Sequence, residues 1–170
     1  MFDACVLGVD PGVARLGLAA VGRRDRRPVL LWAGTVETSR ELPEAVRLQM
    51  ILDAVRSAIA RYEPTSVALE RVAWNVNKAS AMGVARATGV VMAVAAEAGL
   101  TVDEYGSLEV KNAITGAGGA DKTQIRTALV RIHGLTDVPT QPDATDAVAV
   151  AVTHLVRARF TAAAARAGAR

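Results

Sequence analysis

A single cysteine, Cys5, leaves no partner for a disulfide and no thiolate set for a structural zinc site in this chain of 170 residues. Cys5 sits in an apolar run and reads as core filling. No apolar stretch of membrane-spanning length escapes interruption by charge or glycine, and the N-terminus lacks the basic-then-apolar pattern of a secretory leader. A soluble, cytoplasmic protein without a membrane partner is therefore expected. The glycine-rich stretch from Gly116 to Gly119, GAGG, lacks the Lys-Ser/Thr ending of a nucleotide P-loop, so that class of phosphate binder is set aside. Aromatics are only 4% of the residues, which makes an aromatic in a polar segment conspicuous. There is no internal repeat and no low-complexity linker. A hydrophobic content of 51% at this length suits one domain with a sizeable core. That domain is expected over residues 3–160, with 161–170 a disordered basic tail. The formal charge of +3 and a pI near 9.5 fit an acidic-polymer partner, although part of the excess lies in Arg157, Arg159, Arg166 and Arg170.

The chain opens with an apolar strand, VLGVDPG, from Val6 to Gly12. Leu16 to Val21 and Val29 to Val36 follow as two further strands, joined through the charged turn GRRDRRP as a hairpin. Thr38 to Glu41, TSRE, matches a capping box, and Leu48, Ile51, Leu52, Val55, Ile59 and Tyr62 recur at helical spacing, which predicts an amphipathic helix. Pro64 precedes a short buried strand, SVALE, from Ser66 to Glu70. Asn77 to Ala98 is a helix rich in Ala, Gly and Met, suited to close packing in the core or in a subunit interface. Thr101 to Tyr105 is a fifth strand, and helices follow around Leu108 to Ile114 and from Lys122 to His133. The last helix starts at Pro142-Asp143 and runs to about Phe160, with a stretch from Ala147 to Val152 that is apolar on all faces and so should be buried. This order gives an α/β fold that begins with an antiparallel hairpin.

Four acids fall at informative places. Asp10 and Glu70 each finish a strand, where side chains meet the ligand-binding edge of α/β sheets. Asp143 and Asp146 are three apart at a helix start and share a face. Each has an ordinary structural role available, since Asp before Pro-Gly favours a turn and Asp suits the first turn of a helix. Their joint placement outweighs those roles, because the topology can bring two strand ends and one helix start to a single edge. Four ionised carboxylates in one cleft repel, so either several protonate or a cation joins them. With hard oxygen donors and no thiolate, the expected cation is Mg²⁺, with Mn²⁺ as substitute. Such a site suits in-line displacement on a phosphodiester.

VDPG with Gly17 after it, ALERV, the helix with Gly83 and Gly89, the pair Val110-Lys111, ADK ending at Lys122, and DATDAVAVAVTH together resemble the RuvC family of Holliday-junction resolvases, over about residues 4 to 156. The resemblance implies a ribonuclease H-like fold with a five-stranded mixed sheet flanked by helices, a homodimer, and Mg²⁺-dependent symmetrical nicking of four-way junction DNA. It also implies work alongside the RuvA and RuvB branch-migration proteins. Asp10, Glu70, Asp143 and Asp146 carry over as the metal-binding catalytic acids.

Lys111 and Lys122 match basic positions that the family places near the cleft, suited to holding phosphate or countering charge at the scissile group. Many family members carry one or two Phe shortly after the catalytic Glu, where this chain has Ala73 and Trp74. Trp74 can stack on an unpaired base, and with Asn75, Asn77 and Lys78 it is expected to contact DNA. Trp32, in an apolar strand, is expected to be buried, and His154 to be a packed histidine. The rival readings are a ribonuclease H-like nuclease acting on structured RNA and a non-catalytic junction-binding protein. An actin-like ATP-binding module would need a second lobe for which the chain has no room.

Overall fold

The computed structural model describes residues 4–71 and 78–168, the side chains of 78–80 and 159–168 apart. Five strands, β1 (Ala4–Asp10), β2 (Arg15–Arg24), β3 (Arg27–Glu37), β4 (Ser66–Glu70) and β5 (Thr101–Tyr105), form one sheet in the order β3-β2-β1-β4-β5. β1, β2 and β3 are antiparallel neighbours, while β1, β4 and β5 run parallel, so the sheet is mixed. Parallel neighbours cannot be joined by a tight turn, and helices provide the crossovers. These are α1 (Glu44–Tyr62) between β3 and β4, and α2 (Lys78–Glu97) between β4 and β5. α3 (Ser107–Thr115), α4 (Lys122–Arg131) and α5 (Pro142–Gly168) complete the chain, α5 continuing as backbone helix into the stretch expected to be a tail.

The two faces of the sheet follow the period of two along each strand. On one face, Leu7 and Val9 of β1 and Val67 and Leu69 of β4 join Ile51 and Val55 of α1 and Val91 of α2 in one apolar cluster. On the other, Val6, Ala19, Val21 and Ala68 join the buried residues of α3, α4 and α5. α5 lies between the sheet and the α3–α4 pair, which is why Ala147 through Val152 are buried on every side of the helix. Its apolar girdle has no solvent face to serve.

Two positions decide how closely α5 approaches. A Cβ at Gly17 would overlap the carbonyl oxygen of Asp143, and one at Gly8 would overlap the carbonyl oxygen of Ala147. The missing side chains therefore let the first turns of α5 lie directly on β1 and β2.

The TSRE stretch does not start α1. Thr38 is buried, donates its hydroxyl to the Val13 carbonyl and accepts from Arg47 Nε at 2.8 Å, while the helix begins six residues later behind Pro43. Tertiary hydrogen bonds recruited the threonine that a local reading gives to the cap. Trp32 is half-buried rather than buried, stacked on Tyr62 with ring centroids 5.6 Å apart. His154 is a packed histidine held between the Ser66 hydroxyl at 3.1 Å and the Tyr105 hydroxyl at 2.9 Å.

Candidate active site

The same alternation that sorts the core sorts the acids. Val6 and Gly8 face α5, so Asp10, two residues further on, leaves the end of β1 on that face. Ser66, Ala68 and Glu70 make the same progression on β4. α5 starts over this edge because Gly17, paired with Asp10 in the β1–β2 ladder, admits the Asp143 backbone. Asp10, Glu70 and Asp146 consequently line one open cleft of about 610 Å³, together with Lys111, Lys122 and Ser107.

Electrostatics register the crowding. Burial pushes the Asp10 carboxyl up to about 7, and the charges of Glu70, Asp146 and Asp143 add to the shift while Lys122 opposes it. Glu70 is also raised, first by burial and then by Asp146, against the lowering influence of Ser107, Lys122 and Lys111. Carboxyls pushed upward in this way mark a cleft in which positive charge is in short supply. Lys122 provides some, its ammonium lying 2.6 Å from Asp146 Oδ2, and its own pKa is raised by that hydrogen bond.

The donor chemistry fits a hard divalent cation, with carboxylate oxygens from three elements and no sulfur or imidazole among them. As the side chains stand, no three ligating groups among the described residues are drawn together tightly enough to clasp an ion. A cation shared with Asp146 would compete with the Lys122 ammonium for that carboxylate.

The predicted residues divide into three groups. Asp10, Glu70, Asp146, Lys111 and Lys122 meet in the cleft. Asp143 stands beside them but does not line the cleft, its carboxylate lying 4.0 Å from Arg15 Nη1. Trp74, Asn75 and Asn77 lie outside the described residues, and Lys78 opens α2 with its side chain undescribed.

Three contributors escaped the sequence reading. Ser107, at the first turn of α3, faces Glu70 because β5 ends beside β4, Tyr105 pairing with Glu70. Arg15 bridges Glu37, at 3.4 Å, and Asp143. Arg71 lines the cleft and donates to the Glu104 carbonyl at 3.1 Å, beside Glu109, whose carboxylate caps α3 through the Gly106 N–H at 2.8 Å. The one sequence signal for Ser107 is its place two residues past the end of β5, near the sheet edge at which Asp10 and Glu70 end their strands.

Comparison with known proteins matches residues 6–154 to the family described as crossover junction endodeoxyribonuclease RuvC. Among curated proteins, the chain is 41% identical to the RuvC of Leifsonia xyli over 92% of its own length and 76% of that protein. It is 44% identical to the RuvC of Mycobacterium avium over 95% of its own length and 87% of that protein. Among solved structures, T. thermophilus RuvC in complex with a Holliday junction substrate aligns with a TM-score of 0.86 and 34% identity, covering 93% of this chain and 96% of that one. The yeast mitochondrial resolvase Ydc2 shares the fold, with a TM-score of 0.68 at 10% identity, covering 89% of this chain and 77% of that one.

Proposed function

The chain belongs to the RuvC family of crossover junction endodeoxyribonucleases, metal-dependent nucleases with a ribonuclease H-like fold, and from that premise we propose how it resolves Holliday junctions. It is a phosphodiester hydrolase that nicks two opposed strands of a four-way junction. The observation that carries the reading is the meeting of two strand-end acids with the first turns of α5 beside two lysines, in a cleft open enough to admit a DNA backbone.

In this reading Asp10, Glu70, Asp143 and Asp146 hold Mg²⁺, for which Mn²⁺ substitutes. The cation supplies the acidity that readies a water and the charge that offsets the scissile phosphate. Asp10 and Asp146 are presented to the cleft by different elements, one by the strand β1 and the other by the buried helix α5. Ser107 orients the Glu70 carboxyl. Arg15 lies within ion-pair reach of Asp143, whose charge already acts on Asp10 and Lys122. Lys122 Nζ, at 2.6 Å from Asp146, is placed to meet a phosphate oxygen beside that carboxylate, and Lys111 flanks it from α3. Trp74, Asn75, Asn77 and Lys78, in the segment after Glu70, contact the DNA in the same proposal.

A four-way junction has two equivalent strands to cut, and a two-fold dimer supplies two equivalent sites. The exposed face of α2, with Met82, Ala85, Gly89 and Ala93, offers small and apolar surface for that interface. Work with the RuvA and RuvB branch-migration proteins belongs to the same proposal and rests on family membership. No helix among the described residues is long and apolar enough to cross a membrane, and action on cytoplasmic DNA completes the reading.

The test is competition among three substrates in Mg²⁺: a synthetic four-way junction, a linear duplex of the same sequence and a structured RNA. Paired nicks in opposed strands of the junction alone are expected; preferential cleavage of the RNA would overturn the assignment. Sedimentation at micromolar concentration should give a dimer, and a monomer would remove α2 as its interface.

A further inference from the structure

The β2–β3 hairpin tip carries Arg23, Arg24, Asp25, Arg26 and Arg27, a local charge of +3 that equals the formal net charge of the whole chain. Arg24, Asp25, Arg26 and Arg27 are exposed. Arg24 pairs directly with Arg27 across the ladder, so the loop is the two residues Asp25 and Arg26, both at positive φ, 51° and 65°. That is the backbone of a tight primed turn, for which Asn-Gly is the favoured sequence.

This tip breaks two local rules at once. Arg26 occupies a left-handed conformation that costs a side-chain-bearing residue and suits glycine. Arg24 faces a like charge directly across the strands, an arrangement that destabilises a hairpin. Both departures add positive charge at an exposed tip. A turn held at positive φ that displays guanidinium groups, on a two-stranded ribbon followed by Pro28, has the form of a site that meets an anion. Guanidinium forks match phosphate geometry, and β-ribbons with arginines at the tip fit the grooves and backbone of a duplex.

Its position sets the length scale. Gly17 is opposite Asp10 at the cleft, and Arg24 lies seven residues further along β2, about 24 Å at ~3.4 Å per residue. Duplex DNA covers that distance in about seven base pairs. We propose that the arginine-tipped β2–β3 hairpin is a second, sequence-independent contact for a duplex arm, gripping its phosphates about seven base pairs from the scissile bond. The inference rests on the reading of the cleft as the junction-cutting site.

The test uses two four-way junctions, one with arms of about 6 base pairs closed by loops and one with arms of about 20 base pairs. Wild type is compared with the triple variant Arg24→Gln/Arg26→Gly/Arg27→Gln and with Arg26→Gly alone. Wild type should bind the long-armed junction about tenfold more tightly at roughly 0.1 M salt, and the triple variant should lose that advantage. Its salt slope on long arms should be smaller by about two to three, one phosphate contact per arginine. Cutting of the short-armed junction should proceed at the wild-type rate. Arg26→Gly alone should melt at a higher temperature than wild type yet bind long arms more weakly, a combination that a purely structural turn would not give. An undiminished long-arm advantage in the triple variant overturns the proposal. Competition by polyglutamate as effective as that by linear duplex would make the tip an acidic-peptide site and likewise overturn it. Failure of wild type to bind or cut either junction would instead overturn the reading of the cleft.

Discussion

The two ends of the sheet are opposites. At one, the carboxyl ends of β1 and β4 bring Asp10 and Glu70 under α5, where burial and mutual repulsion push both carboxyls upward. At the other, the β2–β3 hairpin gathers four arginines around a two-residue turn. The acidic end concentrates its charge inside a cleft, and the basic end displays it at the surface. Each departs from what stability alone would select, one by burying like charges and the other by straining a turn. In the proposed reading the contrast separates chemistry from grip: the buried charges serve the reaction, and the exposed ones meet a polyanion.

The largest effect expected is at the acidic end. Asp10→Asn should lower junction cutting by on the order of a thousandfold, the loss of a metal-holding carboxylate, while calorimetric titration shows weakened Mg²⁺ binding and junction binding survives. Lys122→Ala should lower turnover by roughly 10- to 100-fold and change junction affinity less; equal losses in both would make Lys122 a simple phosphate contact. Gly17→Ala forces a Cβ against the Asp143 carbonyl, so urea unfolding should show a loss of about 1–3 kcal/mol. The corresponding backbone change at the basic end, Arg26→Gly, should go the other way by about 0.5–1 kcal/mol. Opposite signs at the two ends would sharpen the contrast, and equal signs would break it.

A pH series probes the acidic end alone. The Asp10 carboxyl is raised from an ordinary 3.8 to about 7, so folding takes up a proton between those values. Its contribution to stability is complete below about pH 4 and is lost as the pH rises through 7. In EDTA the wild-type melting temperature should therefore fall over that window relative to Asp10→Asn, and added Mg²⁺ should restore it near neutrality. A parallel pH dependence in both proteins would remove the raised Asp10 carboxyl as its cause.

Asp10 and Glu70 were legible in the sequence because each ends an apolar strand, and the period of two then fixes which face they leave from. α5 was legible from its all-round apolar stretch. What decides that the helix start meets the strand ends is the contact of Gly8 and Gly17 with its backbone, a three-dimensional property that Gly17 betrays only as one residue of a motif. Asp143 is expected in the cluster from its place beside Asp146, and its charge does act on Asp10, while its neighbour Arg15 arrives from a strand whose register the sequence does not print. Thr38 does not cap the helix because its partners lie elsewhere, Val13 in the β1–β2 connection and Arg47 inside α1. The arginine turn was legible as a turn, while its strain became visible only in the φ angles of Asp25 and Arg26.

We propose that the carboxylate cleft at the end of β1 and β4 cuts junction DNA with the help of a divalent cation. It is tested most directly by nicking of a synthetic four-way junction and of a linear duplex of the same sequence, in Mg²⁺ or EDTA, by wild type and Asp146→Asn. Paired, Mg²⁺-dependent nicks in opposed strands of the junction are predicted for wild type, lost in Asp146→Asn while that variant still binds the junction. Cutting that persists in EDTA, or that survives in Asp146→Asn at the wild-type rate, would contradict it.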